Sequence, residues 1–498
     1  MNRISYFLLL LFFSLPYHVT SDYNQLKYRP FSVIDEIEPY LVQVQSSPPG
    51  AIPLEDIAKL WTRAGDAYDA ARNITATLNA RRKAEKAFSE ALVTTPESKE
   101  IAGSLMLSRV KLSESLRSYH LFEEARQVLK LARKFAKTSP SAASVSVIAA
   151  LWRAEASIER CAGRKKQAIA AWNRGAPGGM GGAWPVNVFN SATEIHLALD
   201  LWTTLGSSLM DNDEREIEID ALASQEQSSN PSATRYNDEL SNRRKRIADF
   251  LIASGPWERP TQLPRNYTRG LRALPWHTID ENDTESRWTV VKDLVALAKA
   301  ASPALLAEWK SLPQSLKLVE NECIADLSHG KWSYTTVNAP WIRDIDNDGC
   351  SIQTPVACAL LHEARSLGMG GSALRGTYSS LAGGTRLRPH CGLTNGQIKL
   401  HVGLEIPSLV RTFKGEEEEI SESAGTNDLN GTPCAFLTVS GETRAWRAGE
   451  VLVFDDSFEH HVTSTCKGER TVFQLVIPHP EIPINKRDLE KGGLNGGD

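Results

Sequence analysis

The sequence has 498 residues, which is too long for one ordinary hydrophobic core and predicts two or three domains. Its formal net charge of −4, from 56 basic and 60 acidic residues, argues against general nucleic-acid binding, which needs a basic surface. The apolar share of 41% is sufficient for globular cores.

Residues 1–21 have the composition of a secretory signal peptide. Arg3 precedes a ten-residue apolar run, Tyr6 to Leu15, which Pro16 ends. Such a run is too short for a bilayer span, which takes about 18–20 apolar residues. We therefore predict targeting to the secretory pathway, either to the endoplasmic reticulum lumen or for secretion. An uncleaved short anchor is the alternative, and no later segment is expected to span a membrane.

Residues 22–50 are polar and contain Pro48 and Pro49, which predicts a linker. Residues 51–250 are predicted to form a helical domain, because apolar residues recur at intervals of three and four. Within it, residues 80–96 match the second helix of a tetratricopeptide repeat. The matching positions are Ala84, Phe88, Ala91 and Pro96, with weaker echoes at Ala125, Leu129, Ala132, Ala168 and Trp172. A plain helical bundle is the alternative.

A basic run follows at residues 242–246, and it is predicted to be a solvated face of a helix. The proline-rich residues 255–265 then mark the boundary to a second domain. A glycine-rich break at residues 175–185 is not a phosphate loop, because the Gly-Lys-Ser/Thr that such a loop requires is missing.

Sequons and cysteines agree with a secretory route. The potential glycosylation sites are Asn73, Asn266, Asn282 and Asn430. The seven cysteines show no zinc-like spacing, and their odd number leaves at least one thiol free. Cys350 and Cys358 flank a short loop and are predicted to form a disulfide if the compartment is oxidising. Buried thiols are the alternative.

Residues 265–485 read as a second domain, in which one or two helices, at roughly 285–320, precede short strands with glycine-rich turns. From residue 397 to residue 404 apolar side chains alternate with polar ones, so Lys399 and His401 share one face of a strand. Arg470 begins another alternating strand. This pattern fits a double-stranded β-helix, or jelly roll. The predicted fold class is a multidomain α + β chain, with this domain after the helical one and a flexible tail at 486–498.

Two histidines about seventy residues apart are the candidate metal ligands. His390 and His460 both lie among predicted strands, and non-haem iron(II) oxygenases bind iron through two histidines and one carboxylate. The carboxylate usually stands two residues after the first histidine, where this chain has Gly392. An aspartate at that position is therefore expected to offer iron a third ligand. His461, next to the second histidine, is expected to face away.

Such a metal needs a carboxylate or a water as its third ligand. Asp455 and Asp456 are near enough in sequence to supply it, although two such residues before a serine are more typical turn formers.

The two histidine motifs resemble those of the aspartyl/asparaginyl β-hydroxylase family. That family carries P-H-x-G-x-x-N and F-D-D-S-F-E-H, which stand here at residues 389–395 and 454–460. The resemblance covers about 265–485. The family has glycine where other oxygenases have the metal carboxylate, so Gly392 agrees with it. The signal or anchor and the helical repeats also resemble the family's layout, less specifically.

The resemblance implies Fe2+ held by His390 and His460, with 2-oxoglutarate and O2 as cosubstrates. The residues that it assigns to 2-oxoglutarate are Ser379, Lys399, His401 and Arg470. Among these, Arg470 would pair with the distal carboxylate and Ser379 would hydrogen-bond it. Lys399 stands where family members can carry Arg. The disulfide between Cys350 and Cys358 falls where the family has one.

The implied activity is iron(II)- and 2-oxoglutarate-dependent hydroxylation of the β-carbon of Asp or Asn in a client protein. The helical repeats would present that client or a peptide from it. Gln397, Lys331 and the acidic insertion 414–433 depart from the family and leave the substrate open. The alternatives are the same chemistry on a lipid acyl chain or small molecule, and a non-catalytic repeat scaffold. Retention of both histidines and Arg470 argues against the scaffold.

Overall fold

A computed structural model describes most of the chain. The described residues are 30–138, 145–175, 198–199, 201–203, 205–206, 231–278, 286–319, 331–338, 350–414, 417–423 and 432–483. The predicted signal segment, the tail, Asn282 and Asn430 lie outside these residues. A search of the described helices for one long and apolar enough to cross a membrane finds none. The chain divides into two compact units, with the division between Val147 and Ile148.

The first unit is helical, as the apolar spacing predicted. Its helices are α1 (Pro30–Ser46), α2 (Leu54–Ala70), α3 (Ile74–Thr94), α4 (Lys99–Ser118) and α5 (Phe122–Thr138). Phe88 and Ala91, which carried the repeat prediction, pack with Ala58 of α2 and Leu105 of α4. The tetratricopeptide class itself stays a prediction. Asn73 is exposed, and its side chain caps α3 by accepting a hydrogen bond from the Ala76 amide at 3.1 Å.

The prediction of a linker over residues 22–50 is wrong where the structure describes it, because residues 30–46 form α1. Val33, Ile37 and Leu41 recur at helical spacing and pack in a cluster with Trp61 of α2. Burying that apolar stripe stabilises the helix by removing it from water. The sequence analysis missed this stripe because residues 22–50 are polar overall and have Pro48 and Pro49 at their C-terminal end.

The second unit begins with helices rather than with strands. Helices α6 (Val145–Cys161), α7 (Lys165–Gly175) and α8 (Pro231–Ser254) precede the strands. Leu251 of α8 shares a hydrophobic cluster with Ala156 of α6, with Trp202, and with Trp257 and Leu263 of the predicted boundary segment. The helical domain predicted over 51–250 does not coincide with either unit, because the division after Val147 places its last helices in the same unit as the strands.

Two antiparallel sheets form the jelly roll that the strand pattern predicted. The strands are β1 (Leu318–Val319), β2 (Trp332–Thr336), β3 (Arg375–Leu381), β4 (Leu387–His390), β5 (Gln397–Glu405), β6 (Ser408–Lys414), β7 (Glu417–Ser423), β8 (Thr432–Pro433), β9 (Ala435–Val439), β10 (Glu442–Ala445), β11 (Val451–Phe454), β12 (His460–Ser464) and β13 (Arg470–Pro478). The major sheet has the order β1-β2-β3-β13-β5-β11 and the minor sheet β10-β9-β12-β4. Strands far apart in sequence are neighbours, as in a double-stranded β-helix. The acidic insertion 414–433 contributes strands to a separate small sheet, β7-β6-β8.

The two faces of the major sheet have different partners. On one face, Leu400 and Phe473 pack with helices α9 (Ser286–Ser311) and α10 (Pro355–Ala364). On the other face, Val472 packs with residues of the minor sheet. Because side chains alternate along a strand, His401 and Arg470 face the interior of the jelly roll.

Two disulfides join described residues of this domain. The predicted Cys350–Cys358 bridge is present, with a Cα–Cα distance of 5.9 Å. A second bridge, Cys434–Cys466, was not predicted, because its cysteines are 32 residues apart in sequence. It links the residue before β9 to the turn that leads into β13. Cys391 has a free thiol.

We expect both bridges to be found by peptide mapping of the unreduced protein. Loop-closure entropy gives about 3 kcal/mol of stabilisation for the short loop and about 4 kcal/mol for the longer one. Removing Cys434 and Cys466 together should therefore lower the free energy of unfolding more than removing Cys350 and Cys358. Recovery of these four cysteines as alkylated thiols would contradict the oxidised state.

Candidate metal and cosubstrate site

Pairing of β4 with β12 brings the two candidate metal ligands together. His390 is the last residue of β4 and His460 the first of β12, and the two are direct antiparallel partners. Their ring centroids are 4.2 Å apart. His461 pairs with Thr438 of β9, and alternation places its side chain on the opposite face, as predicted.

Each of the two imidazoles is oriented by the main chain. His390 Nδ1 lies 2.7 Å from the carbonyl oxygen of Arg388, and His460 Nδ1 lies 2.9 Å from that of Phe458. A carbonyl oxygen only accepts, so each Nδ1 carries the proton and donates. Both Nε2 atoms are therefore left with a lone pair, which is the form in which histidine binds a metal.

Burial keeps both imidazoles neutral. It lowers the pKa of His390 to about 4, because the charged ring loses its hydration, and the Lys399 ammonium acts in the same direction. Burial likewise holds the pKa of His460 well below its ordinary value, with His390 and Lys399 adding to the effect. Metal binding at neutral pH therefore requires no deprotonation of these rings.

The two aspartates before His460 have different roles. Asp455 is the predicted turn former: its Oδ1 accepts from the Ser457 amide at 2.9 Å and its Oδ2 from Gln262 Nε2 at 3.1 Å. Asp456 instead places a buried carboxylate 2.9 Å from Lys399 Nζ. Burial alone would raise the pKa of Asp456, but Lys399 and His460 hold it below its ordinary value.

Gly392 makes room for the Asp456 carboxylate. A Cβ atom at position 392 would lie 2.3 Å from Asp456 Oδ2 and 2.5 Å from its Cγ. The Gly392 amide also donates to the Asp456 carbonyl oxygen at 2.6 Å. The Asp456 side chain thus occupies the space next to His390 where other oxygenases place the metal carboxylate. The expectation that an aspartate at 392 would simply add a ligand is therefore wrong.

We expect Gly392→Asp and Gly392→Ala to lower iron affinity and stability. Either side chain must displace Asp456 and break its ion pair with Lys399, and overpacking of this kind costs about 1–3 kcal/mol. Iron titration and urea unfolding of each variant beside the wild type measure the two effects. Asp456→Asn serves as the control that weakens the ion pair without adding atoms. Tighter iron binding by Gly392→Asp would contradict this placement of Asp456.

Arg470 is a buried cation with unsatisfied donors. It is 2% exposed, and neither its Nε nor its Nη1 has a hydrogen-bond partner among the described residues. Burial lowers its pKa to about 9, which leaves it charged at neutral pH. A buried, unpaired guanidinium is costly, and its fork of donors matches a carboxylate. These properties fit the distal carboxylate of a dicarboxylic ligand.

Aromatic rings hold the neighbouring groups in place. Arg470 Cζ lies 4.4 Å from the centroid of the Trp446 ring, and the Trp446 and His401 rings stack at 6.0 Å. Both ring nitrogens of His401 lack hydrogen-bond partners within the described parts of the chain. His401 was predicted to lie beside the cosubstrate, and it does lie on the same apolar wall as Arg470. Trp446 was missed, because nothing in its local sequence separates it from an ordinary core tryptophan.

Ser379 and Lys399 stand at different ends of this interior. Ser379 pairs with Val472 in register, two residues from the partner of Arg470, and its Oγ accepts from Trp332 Nε1 at 3.0 Å. The Ser379 proton therefore stays available to a ligand near Arg470. Lys399 is at the metal end, where it binds Asp456. If Lys399 binds the cosubstrate, it must therefore contact the end of the ligand that meets the metal.

The donor set fits iron(II) with a keto acid. Two neutral imidazoles face each other with ring centroids 4.2 Å apart, and the described residues contain no group of three or more His, Cys, Asp or Glu side chains arranged around a metal. A metal at this position would be held by His390 and His460. Two oxygens of a bound keto acid are typical further ligands of such an iron.

Comparison with known proteins agrees with this site. Residues 314–480 match the family model "Aspartyl/Asparaginyl beta-hydroxylase". The chain is 29% identical over 231 residues to the aspartyl/asparaginyl beta-hydroxylase of Mus musculus and 28% identical over 231 residues to that of Homo sapiens. Each alignment covers 44% of this chain and 25% of the relative, so the chain spans about a quarter of the length of these relatives.

Among the solved structures that align with part of the chain is a hydroxylase. It is a prolyl-4-hydroxylase from Pseudomonas putida, at 12% identity and a TM-score of 0.23, covering 36% of this chain and 87% of that one. The score is too low to weigh on the fold, which rests on the strand pairing described above. The family match spans β1 to β13, both histidine motifs and Arg470. Residues 314–480, which include both histidine motifs, are thus similar to the aspartyl/asparaginyl beta-hydroxylase family.

Proposed function

We propose that the chain is an iron(II)- and 2-oxoglutarate-dependent dioxygenase that hydroxylates the β-carbon of Asp or Asn in a client protein. The observation that carries the proposal is the joint presence of two facing, neutral imidazoles and a buried Arg470 with unsatisfied donors in the same interior. The family match supports hydroxylation, and the named relatives supply the residue type of the target.

Each side chain has a defined task in this proposal. His390 and His460 would hold the metal through Nε2. Arg470 and Ser379 would bind the distal carboxylate of the keto acid and so orient it in the site. When bound together, iron(II), 2-oxoglutarate and oxygen supply the oxidant for a C–H bond and leave succinate and carbon dioxide.

The jelly roll interior also protects this chemistry. Trp446 and Phe454 flank His401 on two sides, at ring-centroid distances of 6.0 and 4.8 Å. Such apolar walls exclude water and strengthen the pairing of Arg470 with a carboxylate. Asp456, beside Gly392 and within electrostatic range of both imidazoles, would accept a hydrogen bond from a water at the metal.

We further propose that the protein works in the secretory pathway. Two disulfides support an oxidising compartment. The proposed client is a secreted or membrane protein, and the helices of the first unit would bind it or a partner. Glycosylation at Asn73 or Asn266 belongs to the same proposal.

Turnover of the purified full chain tests the function. The protein, iron(II), 2-oxoglutarate and a set of Asp- or Asn-containing peptides are incubated, and succinate and peptide mass are measured. Succinate that forms together with the gain of one oxygen atom in a peptide is expected. Succinate without peptide oxidation would move the substrate to a lipid acyl chain or small molecule. Absence of iron binding and of succinate would favour the non-catalytic scaffold.

A further inference from the structure

The basic run at residues 242–246 was expected to be a solvated helix face, and most of it is. Lys245 pairs with Asp249 one turn away, and their side chains are 73% and 55% exposed. Arg244 differs, because its side chain is only 18% exposed and its guanidinium binds Glu459, which is 15% exposed. Glu459 is the residue immediately before the candidate metal ligand His460.

The contacts of Arg244 fix its guanidinium from several sides. Nη2 donates to Glu459 Oε1, Nε donates to the Trp202 carbonyl oxygen at 3.2 Å, and Cζ lies 3.9 Å from the centroid of the Trp202 ring. Gly206 closes over the pair: a Cβ there would lie 2.8 Å from Arg244 Nη2 and 3.0 Å from Glu459 Oε1. An enclosed pair of this kind holds its geometry better than a solvated one.

Glu459 passes this restraint to the strand that carries His460. Its amide donates to the Thr261 carbonyl oxygen at 2.7 Å, and its own carbonyl accepts from the Ser440 amide at 2.8 Å. Because side chains alternate, Glu459 points outward to Arg244 while His460 points to the interior. The first residue of β12 is therefore held from outside by helix α8.

The strand of the other histidine is held in the same way. Arg388 precedes His390 by two residues, and its carbonyl oxygen orients the His390 ring. The Arg388 Nη1 donates to the Arg160 carbonyl oxygen at 3.4 Å, at the C-terminal end of α6. That end of a helix attracts a cation. Helices α6 and α8 thus hold both ligand-bearing strands on their outer sides.

From these contacts we propose that Arg244 is a positioning residue of the metal centre, acting on His460 through Glu459. The inference rests on the proposed function for the identity of the metal. It extends the catalytic unit to helices that precede the residues matched by the family. Loss of groups that orient metal ligands typically costs about 10-fold to 100-fold in metal affinity, and we expect about 10-fold here because the effect passes through the main chain.

Three variants of the full-length chain test this role. Arg244→Ala removes the guanidinium, Glu459→Gln removes only the charge of its partner, and Lys245→Ala removes a basic side chain from the exposed face of the same helix. Hydrogen exchange is measured in peptides that contain residues 456–464, and iron(II) affinity is measured by anaerobic titration. We expect faster exchange and about 10-fold weaker iron binding in the first two variants. Lys245→Ala should behave like the wild type.

Two further readouts separate positioning from general destabilisation. The double variant Arg244→Ala with Glu459→Gln should bind iron no more weakly than either single variant, because both remove one interaction. The Michaelis constant for 2-oxoglutarate at saturating iron should not change, because Arg470 lies outside this interaction.

Unchanged exchange in residues 456–464, or unchanged iron affinity in both Arg244→Ala and Glu459→Gln, would overturn the inference. Failure of the wild type to bind iron would instead overturn the proposed function. The exchange comparison decides independently whether Arg244 orders the strand.

Discussion

Replacement of His390 or His460 by alanine is expected to abolish 2-oxoglutarate turnover and iron binding while the fold persists. Each substitution removes one of the two facing imidazoles, and Asp456 is already bound by Lys399. Loss of one ligand from so small a set leaves too few protein donors to retain the metal. Iron content after desalting and succinate formation measure the two losses, and circular dichroism reports the fold.

His461→Ala is the matched control, because its side chain lies on the opposite face of β12. It should retain iron and turnover. Full turnover in His460→Ala together with loss in His461→Ala would show that the strand register is wrong by one residue. Such a slip exchanges the two faces of a strand.

Replacement of Arg470 by alanine is expected to raise the Michaelis constant for 2-oxoglutarate by about 10-fold to 100-fold, because a charge-assisted hydrogen-bonded pair contributes roughly 1.5–3 kcal/mol. The guanidinium is buried against Trp446, and two of its nitrogens lack partners among the described residues. Iron affinity without the keto acid should change little. Steady-state kinetics at saturating iron measure the effect.

Arg470→Lys distinguishes charge from shape. Lysine keeps the positive charge but lacks the planar fork, so we expect an intermediate Michaelis constant. An unchanged constant in Arg470→Ala would assign the guanidinium to structure alone, and the carboxylate would then have to be bound elsewhere.

Local sequence was enough to predict the jelly roll and the two histidines. Alternation along β5 placed His401 on the interior face, and the paired structure agrees, because Leu400 and Val402 pack on the opposite face with the helices. The disulfide between Cys350 and Cys358 could be predicted because its two cysteines are only 8 residues apart in sequence.

Two side-chain contacts between residues that are far apart in the sequence were missed. Asp456 was predicted as a turn former, but the length of the Lys399 side chain and the absence of a Cβ at Gly392 give it a second role. Arg244 reads as one of several solvated basic residues until Trp202 and Glu459 are brought to it. Neither contact has a local sequence signal, because each depends on strand pairing or helix packing between segments far apart in the chain.

We expect a single interior, that of the jelly roll, to bind both iron(II) and a dicarboxylic keto acid. Anaerobic titration of the full chain with iron(II), followed by 2-oxoglutarate, tests it through the visible charge-transfer absorption of an iron(II)–keto acid chelate. We expect one iron per chain and an absorption band that requires both iron(II) and 2-oxoglutarate. The band should be lost in His390→Ala and His460→Ala and should need more 2-oxoglutarate in Arg470→Ala. Stoichiometric iron binding without any band at saturating 2-oxoglutarate, or a band that persists in His460→Ala, would contradict it.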